Sequence, residues 1–229
     1  MKLPPPDGTL QPRLAATILA AGAGSRLGYI PKAAIHIDGR PILHWQLAAL
    51  QEAGIHEIAV VVGAYRAQMQ ALIAQAPCAV QAVSHDQPDE PDEPDPADLV
   101  ASQLAALRSH ARDRPGQDLL LMLGDLPFIR SAHLHPLQRA WTARALGIHA
   151  LVPVVAGVRG HPVLLSWEAA QFMANEGRGN GGVRGWMQRN QPSVQFLELN
   201  DPAYTLDLDT PQDLQRFGGS ILPHAPLHR

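Results

Sequence analysis

The chain is predicted to fold as an α/β domain built on a mostly parallel β-sheet covered by helices. Short apolar runs alternate with amphipathic stretches along most of the 229 residues, which is typical of parallel strands joined by helical crossovers. A hydrophobic content of 46% suffices for the core of one domain of this length. Two of the runs open directly into a glycine-rich and an acidic loop, which is where ligands of such sheets bind.

The individual elements are predicted from the same patterns in chain order. Each strand is a short apolar run bounded by turn residues, and each helix repeats apolar residues every three or four positions. Strands are predicted over residues 17–21, 58–62, 80–84, 119–123, 150–155, 162–166 and 194–197, with antiparallel pairing allowed for the sixth. Helices are predicted over residues 41–53, 64–76, 97–112, 135–145, 167–174, 182–189 and 211–217.

One segment departs from this alternation, because residues 86–96 repeat acid and proline with almost nothing to bury. We expect it to form an extended, mobile surface loop. A flexible leader is predicted over residues 1–13 and a flexible tail over residues 218–229. A single domain over residues 14–217 is therefore expected.

Composition excludes several classes of protein. The net charge of −3 and the isoelectric point of about 6.4 give no basic field for nucleic acid or an anionic membrane, so any cationic site must be local. The single cysteine, Cys78, excludes an internal disulfide and a cysteine-based zinc cage. No segment resembles a signal peptide or approaches the ~20 apolar residues of a membrane span. A cytoplasmic protein is expected.

The loop after the first predicted strand carries the most informative chemistry. Its glycines, Gly22, Gly24 and Gly28, allow positive φ and close backbone approach, so several amide groups can converge on anionic oxygens. Arg26 then offers a planar fork and Lys32 a mobile point charge. This combination suits the β- and γ-phosphates of a nucleotide.

Three other interpretations of this loop were compared with the phosphate site. The glycines match a loose dinucleotide fingerprint, but the strand at 58–62 is not followed by the acidic residue that such a site requires about 20 residues beyond the glycines. A P-loop requires a Gly-Lys-Ser/Thr sequence after the glycines, and none follows. A purely structural glycine turn with solvated cations stays open for this segment taken alone.

Two acidic motifs follow later in the chain. Asp125 ends a buried strand in a Gly-Asp sequence, which makes it a metal-ligand candidate, with a turn or cap aspartate as the alternative. Asp207 and Asp209 would project to one face of an extended segment, and two acids facing a polyphosphate require a divalent cation between them. Asp207 is the preferred second ligand, because Asp209 could instead help a helix cap at Thr210.

Together these motifs resemble those of the MobA-like nucleotidyltransferases. LAAGxGSRLGxxPK, LxLGDLP and LDLDTPQDL occur in that order, and the resemblance runs from about residue 14 to residue 217. The chain is most similar to the molybdenum cofactor cytidylyltransferase branch, because RGHPVLL at 159–165 resembles RGHPVLF and GNGGVR at 179–184 resembles GDxGxR. LAAG, where the guanylyltransferase branch typically has LAGG, favours a cytosine base.

The resemblance implies a three-layer α/β/α Rossmann-like domain and an Mg²⁺-dependent reaction. A nucleoside monophosphate would move from a nucleoside triphosphate, CTP, to a phosphorylated acceptor, the molybdopterin cofactor, with release of pyrophosphate. The implied partners are the nucleotide, the acceptor, and a molybdoenzyme or its chaperone. The acceptor phosphate oxygen would attack the α-phosphorus, so the protein would have to supply neutralisation and positioning.

The resemblance also implies roles for individual residues. Arg26, Lys32 and Asp125 would be catalytic. Asp125 and Asp207 would hold Mg²⁺, with Asp209 as the less favoured ligand. His161 and Arg184 would contact the acceptor, although a packed bystander role for His161 is equally open. The nucleotide-binding residues would be Leu19, Ala20, Ala21, Gly22, Gly24, Ser25, Arg26, Lys32 and Ser102.

Departures from the family pattern keep two alternatives open. Asn180 stands where the family often has aspartate, and the segment before Ser102 lacks the usual Gly-Met-Ser. The spacing from Gly28 to Pro31 is one residue longer than expected and is similar to that of sugar-phosphate relatives. The alternatives are a sugar-1-phosphate nucleotidylyltransferase and a non-catalytic nucleotide- or cofactor-binding module.

Overall fold

A β-sheet of eight strands organises the part of the chain that the computed structural model describes, namely residues 13–22, 24–63, 65–84, 96–176 and 181–221. The strands are β1 (Leu14–Leu19), β2 (His36–Ile37), β3 (Arg40–Pro41), β4 (Ile58–Val62), β5 (Gln81–Ser84), β6 (Asp118–Leu123), β7 (Ala150–Val155), β8 (Val158–Arg159), β9 (Val163–Leu165) and β10 (Val194–Leu199). Of these, β2 and β3 form a separate hairpin outside the eight-stranded sheet. The α-helices are α1 (Ile42–Glu52), α2 (Arg66–Ala74), α3 (Pro96–Asp113), α4 (Ser131–Thr142), α5 (Trp167–Glu176), α6 (Gly182–Arg189) and α7 (Pro211–Arg216).

The sheet order is β5-β4-β1-β6-β9-β7-β10, with β8 paired to β7. β1 runs parallel to both β4 and β6, and β10 runs parallel to β7. β9 is antiparallel to β6 and to β7, so the sheet is mostly but not wholly parallel. The predicted fold class is confirmed, including the antiparallel strand.

Helices cover both faces of the sheet because successive side chains of its buried strands alternate between two apolar cores. Ile18 and Leu120 belong to one core, which α1 and α4 cover with residues such as Leu47 and Trp141. Leu19 and Leu121 belong to the other core, which α3, α5 and α6 cover. The result is a three-layer α/β/α domain.

The chain order creates a switch point beside β1. From β1 the chain passes to β4 and β5 on one side, and then returns through α3 to β6 on the other side. At such a point the connections leave the sheet in opposite directions, which opens a crevice at the carboxyl ends of the two strands. The carboxyl ends of β1 and β6 are therefore the place to look for a ligand site.

A third, smaller cluster packs the first loop against the end of the chain. Ile35, Ile37 and Ile42 form one buried cluster with Leu208, and Leu214 of α7 packs against this cluster. Backbone hydrogen bonds extend this region past the predicted domain end at 217: Gly219 donates to Leu214, and Ser220 and His36 bond each other in both directions.

Most elements lie where the sequence predicts them, and the largest boundary error concerns α4. Predicted from residue 135, α4 begins at Ser131 because His133 accepts a hydrogen bond from the Arg130 amide and closes the first turn. The predicted acidic loop at 86–96 lies outside the described residues except for Pro96, which begins α3. Among the described residues no helix is long and apolar enough to cross a membrane.

Candidate active site

The carboxyl ends of β1 and β6 lie side by side, since Leu19 pairs with Leu123 in the parallel ladder. The next amide, that of Gly124, donates to the Leu19 carbonyl oxygen at 2.8 Å. A Cβ at position 124 would lie 2.9 Å from that oxygen and 3.2 Å from the Ala20 Cβ. Glycine at 124 therefore lets the two strand ends approach closely, a role that the sequence alone did not reveal.

The glycine-rich loop follows β1 and turns sharply. Gly24 has a φ of 60°, and a Cβ there would lie 1.9 Å from the Ile30 carbonyl oxygen, so only glycine fits. Ser25–Leu27 then form one turn of 3₁₀ helix. The Ser25 and Arg26 amides make no backbone hydrogen bond to any other described residue. Amides of such a loop can donate to anionic oxygens, and binding of phosphate by this loop stays a prediction. Ala23 lies outside the described residues.

Lys32 lies between two carboxylates from distant parts of the chain. Its ammonium group is 2.9 Å from Oδ2 of Asp125 and also contacts Oδ1 of Asp209. Arg26 adds a second cation, with Nη1 3.1 Å from Oδ2 of Asp209. Burial opposes the charge of Lys32, but the two carboxylates outweigh burial and raise the pKa of the lysine above its ordinary value.

Backbone contacts hold the two acidic segments together. The Leu208 amide donates to the Asp125 carbonyl oxygen at 2.9 Å. Asp207 and Asp209 are the sequence neighbours of Leu208, so this bond brings both of them near Asp125. Partial burial and the neighbouring carboxylates of Asp209 and Asp125 raise the pKa of Asp207. Five of the residues singled out from the sequence, Arg26, Lys32, Asp125, Asp207 and Asp209, thus share one crevice.

The structure shows what the Asp209 side chain contacts, whereas the preference for Asp207 as a metal ligand stays a prediction. The Asp209 carboxylate binds Lys32 and Arg26, and the helix cap uses the Thr210 hydroxyl together with the Asp213 carboxylate. Asp209 contributes only its amide to that cap, donating to Asp213 at 3.2 Å. Asp207 is the more solvent-accessible of the two residues. Asp209 is therefore the acid of this motif whose carboxylate forms ion pairs with both Lys32 and Arg26.

The donor set fits a divalent cation shared with a nucleotide. Oδ1 of Asp125 is buried and has no hydrogen-bond partner among the described residues, so one oxygen of this carboxylate is left unsatisfied. Within the described ranges no group of three or more His, Cys, Asp or Glu residues could hold a metal ion. Mg²⁺ at phosphate sites takes one or two carboxylates and completes its shell with phosphate oxygens and water, and that is what these residues offer.

The remaining predicted site residues lie on neighbouring elements. The His161 amide donates to the Tyr204 carbonyl oxygen at 2.8 Å. Nδ1 of the His161 ring is buried and has no hydrogen-bond partner within the part of the chain that the structure describes. Burial lowers the pKa of His161, although the negative charge of nearby Asp125 opposes this shift. Ser102 is buried on α3, and Arg184 is exposed in the first turn of α6. Asn180 lies outside the described residues.

Gln103 is a residue that the sequence analysis did not single out. Its Oε1 accepts a hydrogen bond from the Val183 amide at 3.0 Å, so a side chain of α3 caps the start of α6. A Cβ at Gly182 would lie 2.3 Å from the same oxygen. A buried glutamine next to Ser102 in an apolar helix face was the available signal. This bond ties the helix that carries Arg184 to the helix that carries Ser102.

Comparisons with known proteins identify the family of the chain. The profile of the MobA-like NTP transferase domain matches residues 16–194. The bifunctional protein GlmU of Syntrophomonas wolfei is 30% identical over 143 residues, which are 60% of this chain and 29% of GlmU. The chain thus spans less than a third of that relative. Nicotine blue oxidoreductase of Paenarthrobacter nicotinovorans is 26% identical over 213 residues, which are 90% of this chain and 97% of the oxidoreductase.

A solved structure shows the same fold. Rv0371c of Mycobacterium tuberculosis superposes with a TM-score of 0.69 at 25% identity, covering 90% of this chain and 97% of Rv0371c. A second structure of Rv0371c, a complex with manganese, superposes with a TM-score of 0.65 at 23% identity, covering 90% of this chain and 97% of that one.

Proposed function

The chain belongs to the family of MobA-like NTP transferase domains, and from that premise we propose that it transfers a nucleoside monophosphate from CTP to the phosphate of molybdopterin cofactor. One observation carries the proposal. Lys32 and Arg26 converge on Asp125 and Asp209 at the carboxyl ends of β1 and β6, where a nucleotide of an α/β sheet would place its phosphates.

The proposed reaction needs charge neutralisation and alignment more than a protein nucleophile. An oxygen of the acceptor phosphate, already ionised near neutral pH, forms a bond to the α-phosphorus of the triphosphate. The bond from that phosphorus to the oxygen bridging to the β-phosphorus breaks, and pyrophosphate leaves with the electron pair. Fixed charges aimed at the phosphate oxygens are the largest contribution that a protein can make to such a step.

The chain's own residues divide this work. The amides of Ser25 and Arg26 bind triphosphate oxygens, while the Arg26 guanidinium and the Lys32 ammonium exchange their carboxylate partners for phosphate. The backbone of Leu19, Ala20, Ala21 and Gly22 lies along the base and ribose, with buried Ser102 beside it. His161 and Arg184 bind the acceptor.

A divalent cation is part of the proposal. Asp125 and Asp207 would hold Mg²⁺, with Asp209 as the other candidate ligand, and Mg²⁺ would supply neutralisation of the phosphate charge when bound. The manganese complex of Rv0371c supports a divalent cation in this family. The unpartnered Oδ1 of Asp125 is the observation in this chain that supports it.

One alternative rests on a specific feature of the first loop. Gly28 and Pro31 are separated by Tyr29 and Ile30, one residue more than the cofactor branch predicts, and this spacing suits a sugar 1-phosphate as acceptor. A non-catalytic binding module is disfavoured because the charged residues of the crevice are intact. A redox reaction on a dinucleotide, which the name of one relative would suggest, is disfavoured because β4 ends in Val62-Gly63 without the acidic residue that a dinucleotide ribose requires.

Pyrophosphate release decides between these functions. The purified chain is incubated with Mg²⁺ and each of CTP, GTP, UTP and ATP, with molybdopterin, with sugar 1-phosphates, or without acceptor. We expect release with CTP and molybdopterin. Release only with a sugar 1-phosphate would establish the alternative acceptor, and release under none of these conditions would overturn the transferase proposal.

A further inference from the structure

A buried polar residue interrupts the apolar face of α1. Gln46 is 0% exposed, and Leu43, Leu47 and Leu50 of the same helix are also fully buried. Burying an amide costs free energy unless its polar atoms are hydrogen-bonded. A leucine or methionine would fill this space without that cost, so the amide must serve another purpose.

The Gln46 amide spans the turn that carries Asp125. Its Nε2 donates to the Leu123 carbonyl oxygen at 2.9 Å and to the Leu126 carbonyl oxygen at 3.1 Å. Both acceptors are carbonyls, so the donor end of the amide must face them. Oε1 has no hydrogen-bond partner among the described residues. The donor end alone therefore compensates for burial of the whole group.

The turn is held on two further sides by backbone bonds. The Gly124 amide donates to the Leu19 carbonyl oxygen, and the Asp125 carbonyl oxygen accepts from the Leu208 amide. The first bond ties the turn to the strand before the glycine-rich loop, and the second ties it to the segment of Asp207 and Asp209. Gln46 supplies the third side, from the helix beneath the sheet.

We propose that Gln46 is a positioning residue for the transfer reaction, acting by fixing the Leu123–Leu126 turn so that the Asp125 carboxylate faces the phosphates. This inference rests on the proposed function. Misplacing a catalytic group by about 1 Å can cost on the order of 10² in rate. Gln46 bonds only backbone carbonyls of this turn, so its loss acts through the position of the turn that carries Asp125.

The test compares two substitutions that make the same chemical change. Gln46→Met keeps the length of the side chain and removes the donor. Gln138→Met is the matched control, because Gln138 of α4 also donates from a helix to a backbone carbonyl, that of Ala53, at 2.9 Å. This bond lies beside Leu14 at the start of β1, the opposite end of the strand from the crevice. We expect Gln46→Met to lower kcat for pyrophosphate release at least tenfold, with the KM for CTP within about twofold, and Gln138→Met to leave both unchanged.

Hydrogen exchange of the ligand-free protein gives a second readout that needs neither nucleotide nor metal. The amides of Gly124 and Leu208 should exchange faster in Gln46→Met than in the wild type and at wild-type rates in Gln138→Met. Unchanged exchange at both amides, or a kcat equal to the wild type, would overturn the inference. If Gln46→Met does not fold, Gln46→Asn, which is one methylene too short to span both carbonyls, takes its place.

The two proposals fail in different ways. A wild-type protein that releases no pyrophosphate would sink the transferase function, while the exchange rates would still decide whether Gln46 holds the turn. An active wild type whose Gln46→Met variant matches it in kcat would leave the function standing and remove only the positioning role.

Discussion

At the residue scale, the two oxygens of Asp125 have different environments. Oδ2 is ion-paired with Lys32 at 2.9 Å, whereas Oδ1 is buried and has no hydrogen bond to any residue that the structure describes. A buried carboxylate oxygen that lacks a partner costs free energy. A site that is used to bind a cation explains why that cost is tolerated.

We expect Asp125→Asn to abolish turnover while leaving the fold intact. The amide keeps the shape of the carboxylate but loses its charge, and the loss of one such contact typically costs about 10² to 10³ in rate. Pyrophosphate release measures the effect, and circular dichroism checks the fold. A folded variant with the wild-type rate would remove Asp125 from the site.

Gly124 lets the carboxyl ends of β1 and β6 approach each other closely. An alanine there would place its Cβ 2.9 Å from the Leu19 carbonyl oxygen, and neither strand end can move without losing buried contacts. We expect Gly124→Ala to destabilise the protein by about 1–3 kcal/mol, measured by urea unfolding. Gly22→Ala is the control, because a Cβ at Gly22 meets nothing within 4 Å among the described residues. Equal loss in both variants would refute the packing argument.

At the scale of elements, the last helix holds one side of the crevice. The Thr210 hydroxyl accepts from the Asp213 amide, and the Asp213 carboxylate accepts from the Thr210 amide, which together form a capping box. Asp209 immediately precedes this cap and presents its carboxylate to Lys32 and Arg26. The cap therefore fixes the backbone next to Asp209, an acidic residue of the site.

Thr210→Ala should remove the cap and cost about 1 kcal/mol of unfolding free energy, measured by urea unfolding. We also expect a lower kcat, because the Asp209 carboxylate loses its support. Thr142→Ala is the control: its hydroxyl bonds the Gln138 carbonyl oxygen one turn back on α4 and caps no helix start. A Thr210 variant as stable and as active as the control would contradict the supporting role of α7.

At the scale of the whole molecule, the layers bury titratable groups far from the crevice. His110 of α3 is 0% exposed, its Nε2 bonds the Gln117 carbonyl oxygen at 2.8 Å, and its ring lies against Trp167. Burial, together with the nearby charge of Arg114, lowers its pKa below the ordinary value of 6.5. The folded protein therefore resists protonation of this ring.

Stability should fall as the pH drops below about 6.5, because the unfolded chain then binds a proton that folded His110 refuses. Urea unfolding at pH 7 and pH 5 measures this loss. His110→Gln keeps a donor for the Gln117 carbonyl and cannot titrate, so this variant should lose less unfolding free energy between pH 7 and pH 5. His56→Gln, at an exposed position, should behave like the wild type. If His110→Gln lost as much unfolding free energy as the wild type, His110 would not be the group that causes the pH dependence.

The sequence by itself determined the fold class, the central strands and the family. β4 and α6 lie at the predicted residues 58–62 and 182–189, because long apolar runs and clear turn residues encode local structure. Arg26, Lys32, Asp125 and the pair at 207 and 209 could be selected from their types and their places after strands.

Only the tertiary structure decided how those residues meet. It placed the Asp209 carboxylate on Lys32, a contact that the local sequence does not predict. The Leu208 amide, which bonds the Asp125 carbonyl from 83 residues away, brings the two acidic segments together. It also showed what Gly124, Gln103 and Gln46 do. Each of them acts on a backbone group far along the chain, and such contacts arise from packing that no local pattern encodes.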